Sequence, residues 1–350
     1  MKKVYIVIEN AFSYAGTEKV CSFMCNSFAD TAQVKLISLK GSKPSFYEYK
    51  KNIEIISFNE EKYPIYQAAK LINQEDADAS VFIISMGKLS VFFSIIMSLR
   101  YLLFKHNRSS KNIISCEHVT LSSYNVFVKF LKYIMLRFYN NIIVLTDKDR
   151  ELLSTWGIKS DVIPNALKFH AYKKEVFNKV ALAVGRLDEQ KGFDILLSIW
   201  SRFIVENPGW KLMIAGDGIL KNDLLNQSRE LNIENSVNFL GLVHNIDEYY
   251  KNSDILLMTS RYEGLPLVLL EAKSWSLPCI AFDCPTGPSE IISNGKDGFI
   301  VPMHDENQFL NKLNKLAKDH DIRNEFSANT FYTSRKFERD NIINLWKSLI

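Results

Sequence analysis

The sequence predicts an α/β chain made of two doubly wound halves, each a parallel sheet with helices on both faces. Three observations lead there. Short apolar runs of strand length alternate with amphipathic, helix-length segments from the first residues onward. That alternation halts at a polar, basic stretch over 168–178 and then restarts. The chain has 350 residues and 47% apolar side chains, enough for two separate cores.

In the first half, residues 4–8, 34–39, 53–56, 81–85, 112–116 and 142–145 read as buried strands, and 161–163 as a short one stopped by Pro164-Asn165. The restart brings strand-like runs at 180–184, 212–215, 237–240, 255–258, 279–282 and 299–301. Strands separated by helices pair in parallel. The expected division is therefore a first domain over 1–165, a linker over 166–178 and a second domain over 179–330. Ligands of such sheets bind beyond the carboxyl ends of the strands, so two halves facing across a cleft offer one nucleotide-sized site. The tail, about 331–350, is amphipathic through Ile342, Ile343, Leu345, Trp346 and Leu349.

Composition narrows the setting. Five scattered cysteines without a C-x-x-C pair read as reduced thiols, with Cys21 and Cys25 one helical turn apart in a core. Lys2-Lys3 leads into a strand-length run rather than a signal core, and the apolar stretch Leu89–Phe104 contains Arg100 and is too short for a clean membrane span. The expected location is cytoplasmic, or peripheral on the inner face of the cell membrane. Charge is uneven: residues 1–140 hold 18 Lys and Arg against 11 Asp and Glu, and 141–350 hold 25 against 28. Within 88–137 there are eight basic residues and a single acid, Glu117. Two apolar-rich segments there, 89–104 and 124–138, carry Arg100, Lys129, Lys132 and Arg137, a pattern suited to an anionic membrane surface or to two core-facing helices. Nothing resembling a nucleic-acid fold accompanies the charge, so no nucleic-acid partner is expected.

The most informative stretch runs from Ser260 through Glu263, Gly264, Leu265, Pro266 and Leu267 to Glu271-Ala272. It follows a strand-like run and reads as a turn entering a helix, with Gly264 for the turn and Pro266 at the first helical position. A helix start offers free N–H groups and partial positive charge to hydroxyls or phosphates. Glu263 just outside that end and Glu271 about two turns inside it suit a grip on two parts of one polyhydroxylated ligand. The strand over 180–184 runs into Gly185-Arg186, with Lys191 five residues on. Two cations in one loop can stabilise a departing diphosphate without a metal ion.

These residues resemble the signature of retaining nucleotide-sugar glycosyltransferases of family 4, with the GT-B fold. The resemblance implies that Glu263 contacts donor-sugar hydroxyls, that Glu271 binds the ribose, and that Arg186 and Lys191 bind the donor diphosphate. His118, at the end of the strand over 112–116, matches the family's cleft histidine, with Glu117 orienting it or facing the acceptor. Glycine pairs precede a small residue and Glu in the family. Here the corresponding stretch is Ala15-Gly16-Thr17-Glu18, so only Gly16 is retained. Gly216 allows close approach by the nucleotide, and the backbone of Leu242 and Val243 matches the base-contacting segment. The 283–302 stretch resembles a subgroup building bacterial surface polysaccharides. The resemblance also implies that a C-terminal helix, about 331–350, packs back on the first domain.

The implied reaction moves a hexose or N-acetylhexosamine from a UDP-sugar to a lipid-linked or lipopolysaccharide saccharide, with retention, no cofactor and no metal. A sugar-nucleotide epimerase of the same architecture and a non-catalytic nucleotide-sugar-binding subunit are the alternatives. Asp76-Ala77-Asp78 spells a D-x-D, but it precedes a strand rather than following one, against a metal role.

Overall fold

The structure is a computed structural model that describes residues 2–14, 16–42, 44–74, 78–104, 111–167, 170 and 176–350, with the side chains of 99–104 outside the description. The D-x-D positions Asp76 and Ala77 and most of the expected linker lie outside the described residues. The chain divides into two compact units, residues 1–166 with 340–350, and residues 167–339.

The first unit holds seven parallel strands: β1 (Lys2–Asn10), β2 (Ala32–Lys40), β3 (Glu54–Ser57), β4 (Ser80–Ser85), β5 (Asn112–Glu117), β6 (Asn141–Val144) and β7 (Asp161–Val162). Their order is β3-β2-β1-β4-β5-β6-β7. The winding reverses between β1 and β4, whose register pairs Val4 with Ser80 and Ile8 with Ile84. Both faces of this sheet are covered, so its central strands are apolar almost without interruption. β4 is buried at all six residues. The helices are α1 (Gly16–Phe28), α2 (Pro64–Gln74), α3 (Leu89–Phe104), α4 (Val126–Met135) and α5 (Asp147–Thr155). Asn125 caps α4 by accepting from Val128 N, and Thr146 caps α5 by accepting from Asp149 N.

The second unit holds β8 (Val180–Val184), β9 (Lys211–Ala215), β10 (Val237–Gly241), β11 (Ile255–Met258), β12 (Cys279–Phe282) and β13 (Gly298–Val301), all parallel and ordered β10-β9-β8-β11-β12-β13. Its winding reverses between β8 and β11. Around the sheet lie α6 (Phe193–Glu206), α7 (Lys221–Glu230), α8 (Ile246–Asn252), α9 (Leu267–Ser274), α10 (Pro288–Ile291), α11 (Glu306–Lys318) and α12 (His320–Thr333). Trp200, Phe203 and Trp210 centre one core cluster beside Leu212 and Ile214 of β9.

The last helix, α13 (Arg339–Lys347), belongs to the first unit from residue 340 onward, whereas 331–339 stay with the second. Ile342 and Trp346 are buried, and Trp346 meets Phe82 of β4 edge-on. The Leu349 carbonyl accepts from Asn112 Nδ2 at 2.9 Å, and Lys2 Nζ reaches the Ile350 carbonyl at 2.5 Å. Lys2 and Asn112 open their strands, so the tail covers the amino edge of this sheet. Among the described residues, no helix is long and apolar enough to cross a membrane.

Candidate active site

In doubly wound sheets the crevice outside the switch point is the expected ligand position. In the second unit that point lies between β8 and β11, and the loops leaving these two strands carry Gly185, Arg186 and Lys191 on one side and Glu263 on the other. The two loops are tied directly: Arg261 N donates to the Gln190 carbonyl at 2.7 Å, and Gln190 Nε2 donates to the Tyr262 carbonyl at 2.9 Å. Lys191 Nζ lies 2.7 Å from Glu263 Oε1, and both side chains are largely buried. The stem of Lys191 packs over Gly185.

Gly192 ends the Lys191 turn in the left-handed region, at φ 64°, and a Cβ there would lie 2.3 Å from the Thr259 carbonyl oxygen. Only glycine permits that approach. Gly216 is tighter still: at φ 145°, a Cβ would meet the Gly185 carbonyl oxygen at 1.8 Å. Gly216 N also donates to the Gly241 carbonyl at 2.8 Å, so the carboxyl ends of β8, β9 and β10 are drawn together. Just beyond, Leu242 is exposed and Val243 half-buried.

Pro266 stands at the cap position, and α9 begins at Leu267, so the sequence-based placement of the proline is one residue early. Glu271 is the fifth residue of the helix, little more than one turn inside it rather than two. Its Oε2 accepts from the Tyr250 hydroxyl at 2.7 Å. Leu265 is buried beneath the turn, and Gly264 lies between it and Glu263. The Glu263 carbonyl accepts from the Thr286 hydroxyl at 2.6 Å, which anchors the turn to the loop after β12. Cys284 in that loop has its thiol pushed up to about 12, chiefly by burial and then by the nearby charge of Glu263.

Arg186 is not gathered with Lys191: its side chain is mostly exposed and pairs with Asp188 at 3.1 Å. Sequence reasoning missed Tyr250 and a second arginine, Arg261, which pairs with Asp194 through two bonds of 3.0 and 2.7 Å. Burial pushes the Asp194 carboxyl up, but the hydrogen bonds and charge of Arg261 outweigh it and hold the group below its ordinary value. Arg261 was visible inside the Ser260–Ala272 run; its partner, 67 residues away, had no spacing signal.

Gly16 and His118 belong to the first unit, Gly16 opening α1 and His118 following β5. His118 N donates to the Ser85 carbonyl at 3.0 Å. Its imidazole is buried, and Nε2 has no hydrogen-bond partner among the described residues. Burial pushes this imidazole down to about 4, against a smaller upward pull from Glu117. Glu117 itself makes its hydrogen bonds elsewhere, accepting from Ser115 at 2.9 Å and from Lys132 Nζ at 2.5 Å. Lys132, expected on a charged surface, is fully buried in this ion pair. Buried together, the two groups spare each other the larger cost of an unpaired charge in the core. The side chain of Arg100 lies outside the described residues.

The second-unit arrangement sets a cation, two carboxylates and a helix start around a sheet switch point, which suits an anionic and hydroxylated ligand. Residues 167–331 match the family model for glycosyl transferases group 1. Over all of both chains, the protein is 34% identical to the amylovoran biosynthesis glycosyltransferase AmsD of Erwinia amylovora. It is 24% identical to a Campylobacter jejuni alpha-1,4-N-acetyl-D-galactosaminyltransferase named for an undecaprenol-diphosphate-linked acceptor, over 100% of this chain and 98% of the relative. A solved S. aureus TarM variant, in complex with fondaparinux, alpha-GlcNAc-glycerol and UDP, superposes with a TM-score of 0.84 at 14% identity, covering 100% of this chain and 99% of that one. That likeness is one of fold: the GT-B architecture of two Rossmann-like parallel-sheet domains expected from the sequence. Identity of 34% across a full-length relative and a family match over the second unit together establish that this chain belongs to the group 1 glycosyltransferases.

Proposed function

We propose that the enzyme transfers a hexose or N-acetylhexosamine from a UDP-sugar to a saccharide of a growing surface polysaccharide, lipid-linked or part of a lipopolysaccharide, with retention of configuration. The observation that carries this reading is the contact between Lys191 and Glu263 at the switch point of the second sheet. The UDP in the TarM complex and the undecaprenol-linked acceptor of the Campylobacter relative support the donor and acceptor classes.

In this reading the second unit is the donor domain and the first the acceptor domain. Glu271 takes the ribose hydroxyls, the backbone of Leu242 and Val243 the base, and Glu263 a sugar hydroxyl. The N–H groups of Gly264, Leu265 and Leu267, with Gly185, Gly216 and Gly16, line the donor. Arg186 and Lys191 meet the diphosphate, whose charge grows as the bond from the sugar's C1 to its oxygen breaks. The acceptor oxygen bonds to C1 on the same face, and its proton passes to the departing phosphate oxygen. His118, neutral at physiological pH, is a hydrogen-bonding partner for the sugar rather than a charge. No metal is required.

The enzyme works on the inner membrane face, held there by α4. Val126, Phe127, Phe130, Tyr133 and Phe138 are exposed on and just after that helix, with exposed Arg137 beside them and no acid between His118 and Asp147.

The test is a panel of nucleotide sugars scored by protection against thermal unfolding, followed by transfer assays with and without EDTA. UDP and one UDP-sugar should stabilise the protein, and transfer should survive chelation. Absence of protection by every UDP compound would overturn the donor assignment, and strict metal dependence would redirect attention to Asp76 and Asp78.

A further inference from the structure

In the first unit the switch point lies between β1 and β4, and the loop leaving β1 is stitched to the loop leaving β2. Ala11 N donates to Ser38 Oγ at 2.9 Å. The Ala11 carbonyl in turn accepts from Ser45 Oγ at 3.3 Å and from the Tyr49 hydroxyl at 3.4 Å. These ties bring three aromatic rings from the two loops together. Tyr14 and Phe46 lie with centroids 4.4 Å apart, Tyr14 and Tyr47 stack at 6.3 Å and 20°, and Phe46 meets Tyr47 edge-on at 5.2 Å. Tyr14 and Phe46 are each more than two-fifths exposed.

Beside this shelf, one residue before Tyr14, Ser13 Oγ donates to Glu18 Oε1 at 2.6 Å. Glu18 is 9% exposed, and its buried Oε2 has no hydrogen-bond partner among the described residues. A buried carboxyl oxygen left without a donor is costly and calls for one. A lipid tail would cover the rings but offer the carboxylate no donor. A phosphate would be repelled by it. A pyranose supplies both halves: its C–H face carries the partial positive charge that the negative face of an aromatic ring attracts, and its hydroxyls donate.

We propose that the loops after β1 and β2 form a pyranose-binding subsite for the acceptor saccharide, with Tyr14, Phe46 and Tyr47 as the stacking shelf and Glu18 as the hydroxyl-accepting group. The proposal rests on the glycosyl-transfer reading and names where in the first unit the acceptor ring sits.

The experiment is saturation-transfer NMR on the full chain with UDP present, using n-butyl glycosides of glucose, galactose and N-acetylglucosamine as probes. Ring protons of at least one probe should receive saturation. In Tyr14→Ala/Phe46→Ala binding should weaken by on the order of tenfold, the size of one aromatic contact. Glu18→Gln should also weaken it, because an amide accepts hydroxyls less well than a carboxylate. Tyr332→Ala, which removes an exposed ring from the second unit, should change nothing. Saturation confined to the butyl chain, no saturation of any probe, or equal saturation in the double variant would each overturn the subsite. UDP binding, measured in the same samples, separates the outcomes: its loss in the wild type would sink the donor reading instead.

Discussion

Lys191 Nζ and Glu263 Oε1 are each other's counterion at 2.7 Å, although the sequence assigns one to a diphosphate and the other to a sugar. In the proposed reading, this pair holds the lysine ready for the donor's charge. Removing either partner leaves the other charge largely buried, a loss of about 2–3 kcal/mol at this partial burial, whereas removing both leaves none. Thermal unfolding of Lys191→Ala, Glu263→Ala and the double variant should therefore be non-additive, with the double variant costing well under the sum. Strict additivity would mean that the pair is not formed in solution.

Glu271 accepts a hydrogen bond from the Tyr250 hydroxyl. Glu271→Ala should weaken UDP binding in calorimetry by roughly tenfold or more, the size of a charge-assisted hydrogen bond. Tyr250→Phe should weaken it less. Glu263→Ala should leave UDP affinity nearly unchanged while slowing transfer. Equal losses of UDP affinity in both glutamate variants would refute the division of labour.

Turnover should depend on Arg186 despite its exposure. Arg186→Ala should lower kcat by on the order of a hundredfold with little change in stability, as for other groups that meet developing charge. An unaltered kcat would leave its pairing with Asp188 as its whole role.

His118 provides a pH test with a definite sign. Its folded value of about 4 lies below the ordinary 6.5. Between these values the unfolded chain takes up a proton that the folded chain refuses. Stability is therefore complete above pH 6.5 and falls by about 3 kcal/mol as the pH drops to 4. His118→Gln should flatten that slope, and the imidazole of the wild type should titrate near 4 by NMR. A titration near 6.5 would show that the ring is hydrated in solution.

Membrane docking through α4 should rest more on insertion than on charge, because Lys132 is removed from the surface by Glu117. Phe127→Ser/Phe130→Ser should abolish cosedimentation with anionic vesicles. Arg137→Glu should weaken it, with the remaining attraction lost near 1 M salt, where screening shortens to about 3 Å. Pelleting that is negligible with both anionic and neutral lipid would leave this face to another partner.

The fold was legible in the sequence because two-sided burial writes parallel strands as apolar runs, and every run assigned to a strand falls on one of the thirteen observed among the described residues. Lys191 and Glu263 stood out in the sequence as charged residues after strand ends, and the fold brings them to 2.7 Å of each other. What stayed hidden was pairing. Lys132 meeting Glu117, Tyr250 meeting Glu271 and Asp194 meeting Arg261 join residues 15 to 67 positions apart. Such contacts depend on how helices lie against the sheet, which local periodicity does not encode. The turn before α9 was displaced by one residue because proline fits a cap and a first helical position equally well.

The tail that covers the amino edge of the first sheet also sets an order of events during synthesis. Phe82 waits for Trp346, and Asn112 for the carbonyl of Leu349, across more than two hundred intervening residues. The second unit, one unbroken segment, has all its residues available by position 339. The first sheet therefore cannot close its amino edge until residues 340–350 have been made, after every residue of the second unit. A stop codon ahead of 340 would remove the cover from the half of the protein that was translated first.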